Sequence, residues 1–440
     1  MKNKKWMAIL LGGIMAASLA APCSVSAAEK TTLTFWHAMG GTNGEVLQQI
    51  VDDFNASQDE IEIKAEYQGT YDDTITKLKA AMQSDSGLPD VCQMYDVGTK
   101  FMYDSGSVIP VEDKFESTGY DKSSVMDVIS SYYTVDGKQY AMPFNVSTPM
   151  LYYNKDVFEA AGLDPETPPT TYDEVLEDSK KIVESGAAPV GYSQAIYGWF
   201  FEQQLAGLGV TYGNNDNGRK EAVTAVDFDS NGGGLKVFDM WKKLYDSGCF
   251  EDYGTTTADT QTAFFSGQVG MIIESTAILK NAVDSSPFEV GTGYLPRIEQ
   301  NDEGGVIIGG GSLWLTDTGN EANEDAAWKF IEYITTPDVQ AKWSMGTGYF
   351  AINEKAYETD DMKAYLKENP NFETAINQLK DSPVNCNTAG VLSGVQTEAR
   401  LTFNEIMPQV YDGKLTTQDA VDQLAASVNK AIENYNESIK

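Results

Sequence analysis

One histidine, His37, and three arginines, Arg219, Arg297 and Arg400, bound the chemistry open to this chain. A serine or cysteine hydrolase needs a base beside its nucleophile and would have to use His37. That residue lies far upstream of any serine elbow, and Gly191-Tyr192-Ser193-Gln194-Ala195 only approaches the Gly-x-Ser-x-Gly pattern. No His-Glu-x-x-His, Walker loop or Gly-x-Gly-x-x-Gly after a strand is present. Beside Phe35 and Trp36, His37 reads as a satisfied structural residue. Glycosidase-type carboxylate pairs carry no information here, because 65 acids make chance pairs inevitable.

If the chain binds an anion such as a phosphate ester, charge-assisted donors must hold it, and the three arginines are candidates for that role. Arg219 sits in the polar loop 214–220 and reads as solvated, and Arg297 follows Leu295-Pro296 and is open to either role. Arg400 lies among Leu401 and Phe403, where an unpaired guanidinium would be costly. It therefore either anchors an anion or pairs with Glu398 or Glu405. The run Gly309-Gly310-Gly311 would let an anion approach backbone N–H groups, or would form a β-bulge without a ligand. Tyr71 and Tyr349 read equally as hydroxyl donors or as packing residues.

Several elements must position these groups. Ala141 to Asn154 holds Pro143 and Pro149, each of which pushes its predecessor toward an extended backbone. The stretch reads as an extended connector between two α/β units, lined with Ser147 and Thr148. Thr31 to Trp36 is a β-rich run, and Glu60 to Tyr67 alternates as a half-buried strand does. Asp90 to Tyr95 reads as a strand, and helices are expected over 44–54 and 72–83. Strands separated by single helices predict a mainly parallel, doubly wound sheet. Thr171-x-x-Glu174 is a capping box, Val269 to Glu274 and Val306 to Thr316 read as buried strands, and Val421 to Tyr435 carries helical apolar spacing.

Length and composition set the outer limits. At 440 residues with 42% hydrophobic content, two cores can be filled. Lys2, Lys4 and Lys5, an apolar Met7 to Leu19 and the small residues Val25-Ser26-Ala27 make residues 1–27 an export signal too short to span a bilayer. Pro22 before Cys23 departs from the small residue that a lipoprotein signal places there, which argues against a lipid anchor. Cys92, Cys249 and Cys386 share no close spacing and read as buried small hydrophobes. The formal charge of -34 becomes -37 once the three lysines of residues 1–27 are gone, which argues against nucleic acid and anionic lipid as partners.

Sequence blocks spread over the chain carry a resemblance. They are Phe35-Trp36-His37-Ala38-Met39, Tyr67-Gln68-Gly69-Thr70-Tyr71, Gln93-Met94-Tyr95-Asp96-Val97-Gly98-Thr99, Phe144 to Pro149, Tyr153-Asn154-Lys155-Asp156, Ile307 to Trp314 and Thr347-Gly348-Tyr349. The mature chain resembles the family 1 extracellular solute-binding proteins of ABC importers, and is similar in particular to their glycerol-phosphate branch. The resemblance implies an α/β, two-lobed periplasmic-binding-protein-like fold of two doubly wound domains, with three hinge crossings and the ligand in the cleft. It places lobe 1 at 29–143 and 306–347 and lobe 2 at 147–303 and 352–440, with hinges near 141–147, 303–309 and 347–352. It implies no enzyme activity, no cofactor and no metal. The partners implied are sn-glycerol 3-phosphate or a glycerophosphodiester, then the permease subunits, with the protein itself a monomer at the cell envelope. Carried over residue by residue, the ligand set is Tyr71, Asp96, Ser147, Tyr172, Ser275, Gly310, Tyr349 and Arg400. Asp96 stands where the family has a glutamate, and Tyr172 where the relative has a tryptophan. The strongly acidic surface would suit a neutral mono- or oligosaccharide better than an anion, and a secreted hydrolase or an adhesive surface protein are the rival classes.

Overall fold

The computed structural model describes residues 30–84 and 87–439, so the export signal and Cys23 lie outside the described residues. The chain opens with β1 (Thr31–His37) and β2 (Ile61–Tyr67), paired in parallel from Thr31↔Ile61 to His37↔Tyr67. The crossover helix Gly41–Ser57 buries Leu47, Ile50, Val51 and Phe54, one face at helical spacing. The next helix, Tyr71–Met82, starts at a reciprocal capping box between Thr70 and Asp73. It leads to β3 (Val91–Tyr95), parallel to β1 on its other side. Next come β4 (Val108–Ile109) and a small hairpin of β5 (Thr134–Val135) and β6 (Lys138–Gln139).

The predicted extended connector is two strands with one residue between them. β7 (Met142–Ser147) belongs to the first sheet and β8 (Pro149–Asn154) to the second. The second sheet adds β9 (Val190–Ser193), β10 (Val269–Ser275) and β11 (Val290–Gly293) in the order β11-β8-β10-β9. Then β12 (Gly309–Thr316) returns to the first sheet, where it lies between β3 and β4 and also pairs with β7.

Both sheets are mixed, which corrects the mainly parallel expectation. Only β1, β2 and β3 follow it in the first sheet. A parallel neighbour needs a crossover element, whereas β12 arrives from the second sheet through a loop and runs antiparallel to β3, β4 and β7. Within the second sheet β9 and β10 are parallel, while β8 runs antiparallel to β10 and β11.

Two large cores fill the molecule, and the second sheet contributes to both. Phe35, Trp314, Trp328 and Phe330 pack in one, and Phe201, Phe238, Trp241, Phe403 and Leu424 in the other. Along β10 the alternation of a strand divides the two, with Met271 and Ile273 facing the second core and Ile272 the first. The helices Gln396–Tyr411 and Thr417–Ser438 pack on each other and on Gly233–Asp246, completing the second core. Ser147 pairs with Gly309 and Pro149 with Ser275, so two residues two apart are tied to different sheets. Farther along, the Phe350 N–H donates to the Val146 carbonyl at 2.9 Å, holding the chain after the helix Pro337–Thr347 against the same crossing.

Candidate ligand cleft

The ends of β3, β7 and β10 and the start of β12 meet at one place, the side of the sheets where α/β folds gather ligands. Asp96 follows β3, Ser147 ends β7, Ser275 ends β10, and Gly310 lies near the start of β12. Tyr71 opens its helix, and Tyr349 follows Pro337–Thr347 by two residues. Arg400 projects from Gln396–Tyr411. These seven residues line one cavity of about 230 Å³, which Tyr95, Tyr197, Trp199, Thr257, Gln261 and Glu274 also line.

The first-sheet wall is rigidly held. Tyr71 stacks on Tyr95 with ring centroids 5.1 Å apart, and Tyr349 stacks on Trp343 at 5.5 Å. The Asn145 amide donates to the Tyr71 hydroxyl at 2.7 Å and accepts from the Gln93 amide at 2.7 Å. Gln93 in turn accepts the Ala38 N–H at 2.8 Å. Burial pushes the Tyr71 and Tyr349 hydroxyls up, which keeps both as neutral donors.

Glycine is required at 310 on two counts. Its φ is +88°, and a Cβ there would stand 1.9 Å from the Asn145 carbonyl oxygen. The ladder also shifts register between Gly311 and Ser312, so the glycine run is a bulge and a cavity wall together. At Gly309 a Cβ would meet the indole of Trp199 at 2.6 Å, so the second-sheet element presses directly on the first-sheet strand.

Arg400 is buried and clamped by two carboxylates. Its Nε and Nη2 donate to Glu202 at 2.8 and 2.7 Å, and Nη2 also donates to Asp96 at 2.8 Å. Nη1 makes a longer contact with Asp96 at 3.4 Å. The expected partners Glu398 and Glu405 are instead exposed, because both lie round the helix from the buried face that carries Arg400. The close crossing that brings Arg400 to Glu202 depends on Gly198, where a Cβ would meet Arg400 Cα at 2.5 Å. Burial pushes the Glu202 and Glu274 carboxyls up. For Arg400 burial acts downward, but Asp96 and Glu202 overcome it and hold its pKa well above the ordinary value.

Two residues fall elsewhere than expected. Tyr172 does not line the cavity. It is buried in the second core, where its hydroxyl accepts from Gln204 at 2.8 Å, and Gln204 accepts from Trp241. Arg219 is half-buried rather than solvated, and its guanidinium donates to the carbonyls of Tyr132, Ala389 and Gly390. Asn215, Asp216 and Asn217, all with φ between 55° and 59°, form the left-handed turn that aims it there. Burial lowers Arg219 to about 10. Arg297 is exposed, and its backbone bridges to Thr171.

Reading the sequence missed Glu202, Tyr197, Trp199, Gln261 and Glu274. A signal existed for two of them: Glu202 follows directly on the buried aromatic run Trp199-Phe200-Phe201, and Glu274 follows the apolar stretch Met271-Ile272-Ile273 of its strand. The indole N–H of Trp199 is buried without a hydrogen-bond partner. His37 accepts the Met39 N–H at 3.3 Å, and burial lowers it to about 4. Among the described residues no group of three or more His, Cys, Asp or Glu could hold a metal ion, Cys92, Cys249 and Cys386 are free thiols, and no helix is long and apolar enough to cross a membrane. A wider groove of about 540 Å³ lies at the second crossing among Pro168, Leu295 and Gly304, and none of the seven cleft residues lines it.

Comparison with known proteins places this geometry. The model of the family described as bacterial extracellular solute-binding protein matches residues 49–374. The sn-glycerol-3-phosphate-binding periplasmic proteins UgpB of Shigella flexneri serotype 5b and Escherichia coli K12 are each 30% identical over 417 residues, covering 93% of this chain and 94% of theirs. UgpB from Mycobacterium tuberculosis, solved in complex with glycerophosphocholine, superposes with a TM-score of 0.79 at 20% identity over 92% of this chain and 99% of that one. The cyclic α-maltosyl-1,6-maltose binding protein from Arthrobacter globiformis superposes with a TM-score of 0.75 at 26% identity over 92% of this chain and all of that one.

Proposed function

The chain belongs to the bacterial extracellular solute-binding proteins, and we propose that it binds sn-glycerol 3-phosphate or a glycerophosphodiester and delivers it to the permease of an ABC importer. One observation supports this reading: seven of the eight residues carried over by resemblance, drawn from separate parts of the chain, line a single cavity between the two sheets. The ligand size fits as well. A cavity of about 230 Å³ is smaller than the roughly 300–1,000 Å³ of drug-sized ligand sites, which favours a glycerophosphate over an oligosaccharide.

In this reading Arg400 anchors the phosphate through its remaining Nη1 hydrogen and by exchanging carboxylate contacts for phosphate oxygens. The hydroxyls of Tyr71, Ser275 and Tyr349 and the N–H of Gly310 complete the cradle. Asp96 and Ser147 hold glycerol hydroxyls. Tyr172 acts indirectly, as a support within the second core. We take lobe 1 as 29–143 with 306–347 and lobe 2 as 147–303 with 352–440. Arg400–Asp96, Tyr95–Thr397 at 2.6 Å and Tyr435–Asp104 at 2.6 Å then span the lobes and favour the closed form. A ligand that touches both lobes binds that form better and shifts the equilibrium toward it. The protein is exported, acts as a monomer and performs no catalysis; its single histidine, His37, is buried at the end of β1 and does not line the cavity.

Thermal-shift and calorimetric titration with sn-glycerol 3-phosphate, glycerophosphocholine and maltose test the assignment. Ligand at a hundred times its Kd should add about 2.7 kcal/mol to stability. Stoichiometric binding of a glycerophosphate without product formation is the expected result. Binding of maltose alone would overturn the ligand assignment, and turnover of glycerophosphocholine would overturn the transport role.

A further inference from the structure

The cleft is rich in acid for a site that takes a phosphate. Asp96, Glu202 and Glu274 are all buried, and Arg400 contacts only the first two. Glu274 has no cationic partner among the described residues. Its carboxylate accepts the Ser275 N–H at 2.7 Å and the Gln261 amide at 2.9 Å, which fix it in the cavity wall. Asp96 and Glu274 line the cavity of about 230 Å³ beside Arg400, whose guanidinium is already shared with Glu202, so the acids there outnumber the one cation. Charges act strongly at such a site, where little water screens them. A phosphate monoester brings nearly two more negative charges. A phosphodiester brings one, and an amine or quaternary ammonium on its second arm cancels that one.

We propose that Glu274 is a selectivity residue: its carboxylate takes a cationic arm of the ligand, so that the cleft prefers a zwitterionic glycerophosphodiester over glycerol phosphate. Trp199 lines the same cavity, while the ring of Tyr197 already carries the Arg400 guanidinium 5.9 Å from its centroid, which leaves Glu274 as the group free to meet a second cation. This inference rests on the glycerophosphate reading above. The test is the ratio of affinities for glycerophosphocholine and sn-glycerol 3-phosphate, measured by calorimetry in the wild type and in Glu274→Gln. The wild type should prefer the choline diester. In Glu274→Gln the diester should weaken about tenfold, glycerol phosphate should tighten, and the ratio should fall by one to two orders of magnitude. Glu274→Asp, which keeps the charge, should retain the preference. A ratio unchanged in Glu274→Gln would overturn the role of Glu274 and leave the glycerophosphate reading standing, whereas failure of both ligands to bind the wild type would overturn that reading itself.

A separate observation concerns Trp199. Its Nε1–H is buried without a partner in the wall of the same cavity, and buried donors are seldom left so. The indole packs on Gly309, next to the Gly310 N–H, so it reaches this position only when the two lobes meet. We infer that Trp199 donates this hydrogen to an oxygen of the ligand in the closed cleft. The indole ¹H–¹⁵N signal that disappears in Trp199→Phe should move on addition of a saturating glycerophosphate, and Trp199→Phe should weaken binding about tenfold. An indole signal that stays in place, together with an affinity within twofold of wild type, would overturn the assignment.

Discussion

Two arginines bridge the halves of this molecule by opposite means. Arg400 meets two carboxylates, Asp96 and Glu202, and its pKa is held up. Arg219 meets three backbone carbonyls, those of Tyr132, Ala389 and Gly390, and its pKa is pressed down to about 10. Carbonyl dipoles carry no charge that a ligand could replace, so the Arg219 contact is a structural brace. Carboxylates on side chains can be exchanged for the oxygens of a ligand, so the Arg400 contact can open and reform. Both sites order the same residue type, and only the one with mobile, charged partners lines the cleft.

Removing Arg400 should break this contrast most severely. Arg400→Ala leaves Asp96 and Glu202 buried without a cation, and losing one side of such a cluster costs about 3–5 kcal/mol. Urea unfolding should show that loss. Calorimetry on the folded fraction should show glycerophosphate weakened roughly ten- to hundredfold, the value of one charge-assisted contact. A variant that kept full affinity would make Arg400 as purely structural as Arg219.

Arg219→Ala comes next. It orphans three carbonyls and leaves the strained left-handed turn of Asn215 to Asn217 without the contact it serves. Stability should drop by about 3 kcal/mol, since bonds from a charged donor contribute ~1.5–3 kcal/mol each and are not additive. The ratio of affinities between two ligands should not change, because Arg219 does not line the cavity. A changed ratio would end the distinction between brace and site.

Asp96→Asn should act more gently. Arg400 keeps Glu202, so no charge is stranded, and the stability change should stay near 1 kcal/mol, the size of one ordinary hydrogen bond. The loss falls on the contact that spans the lobes. Small-angle scattering should therefore detect a larger unliganded radius of gyration in Asp96→Asn, restored by saturating ligand. An unchanged radius would mean that Tyr95–Thr397, Tyr435–Asp104 and Arg219–Tyr132 hold the lobes without it.

The same contrast explains what the sequence revealed. Arg400 was legible because an arginine just before Leu401 and Phe403 on a helix must meet charge somewhere. Its partners were not, since Asp96 and Glu202 are 304 and 198 residues away and only packing brings them in. Arg219 was misread because its neighbours are polar: Asn214, Asn215 and Asn217 look like a solvated loop, yet their side chains bond to the chain around them and aim the arginine inward. Strand periodicity located most of β1, β2, β3 and β10, while the direction of β12 depended on a crossing between sheets that local pattern does not encode. Gly310 was legible as a special position, and the reason for it, the Asn145 carbonyl, was not.

The smallest expected effect comes from pH, and it separates the two arginines without removing either. Glu202 is buried, and burial pushes its carboxyl above the ordinary value of 4.5. The folded protein therefore takes up this proton at a higher pH than the unfolded chain does, and the contribution of Glu202 to stability falls as pH rises through that window. Acidification from pH 7 toward 4.5 should raise the stability of the wild type relative to Glu202→Gln, in which that proton is absent. Arg219 has no carboxylate among its hydrogen-bond partners, so the difference between wild type and Arg219→Ala should stay flat over the same range. Urea unfolding at pH 7, 6 and 5 reads both differences. A flat difference for Glu202→Gln would mean that Arg400 holds Glu202 ionised throughout, making the clamp as fixed as the carbonyl brace and leaving Asp96 as the one partner that a ligand displaces.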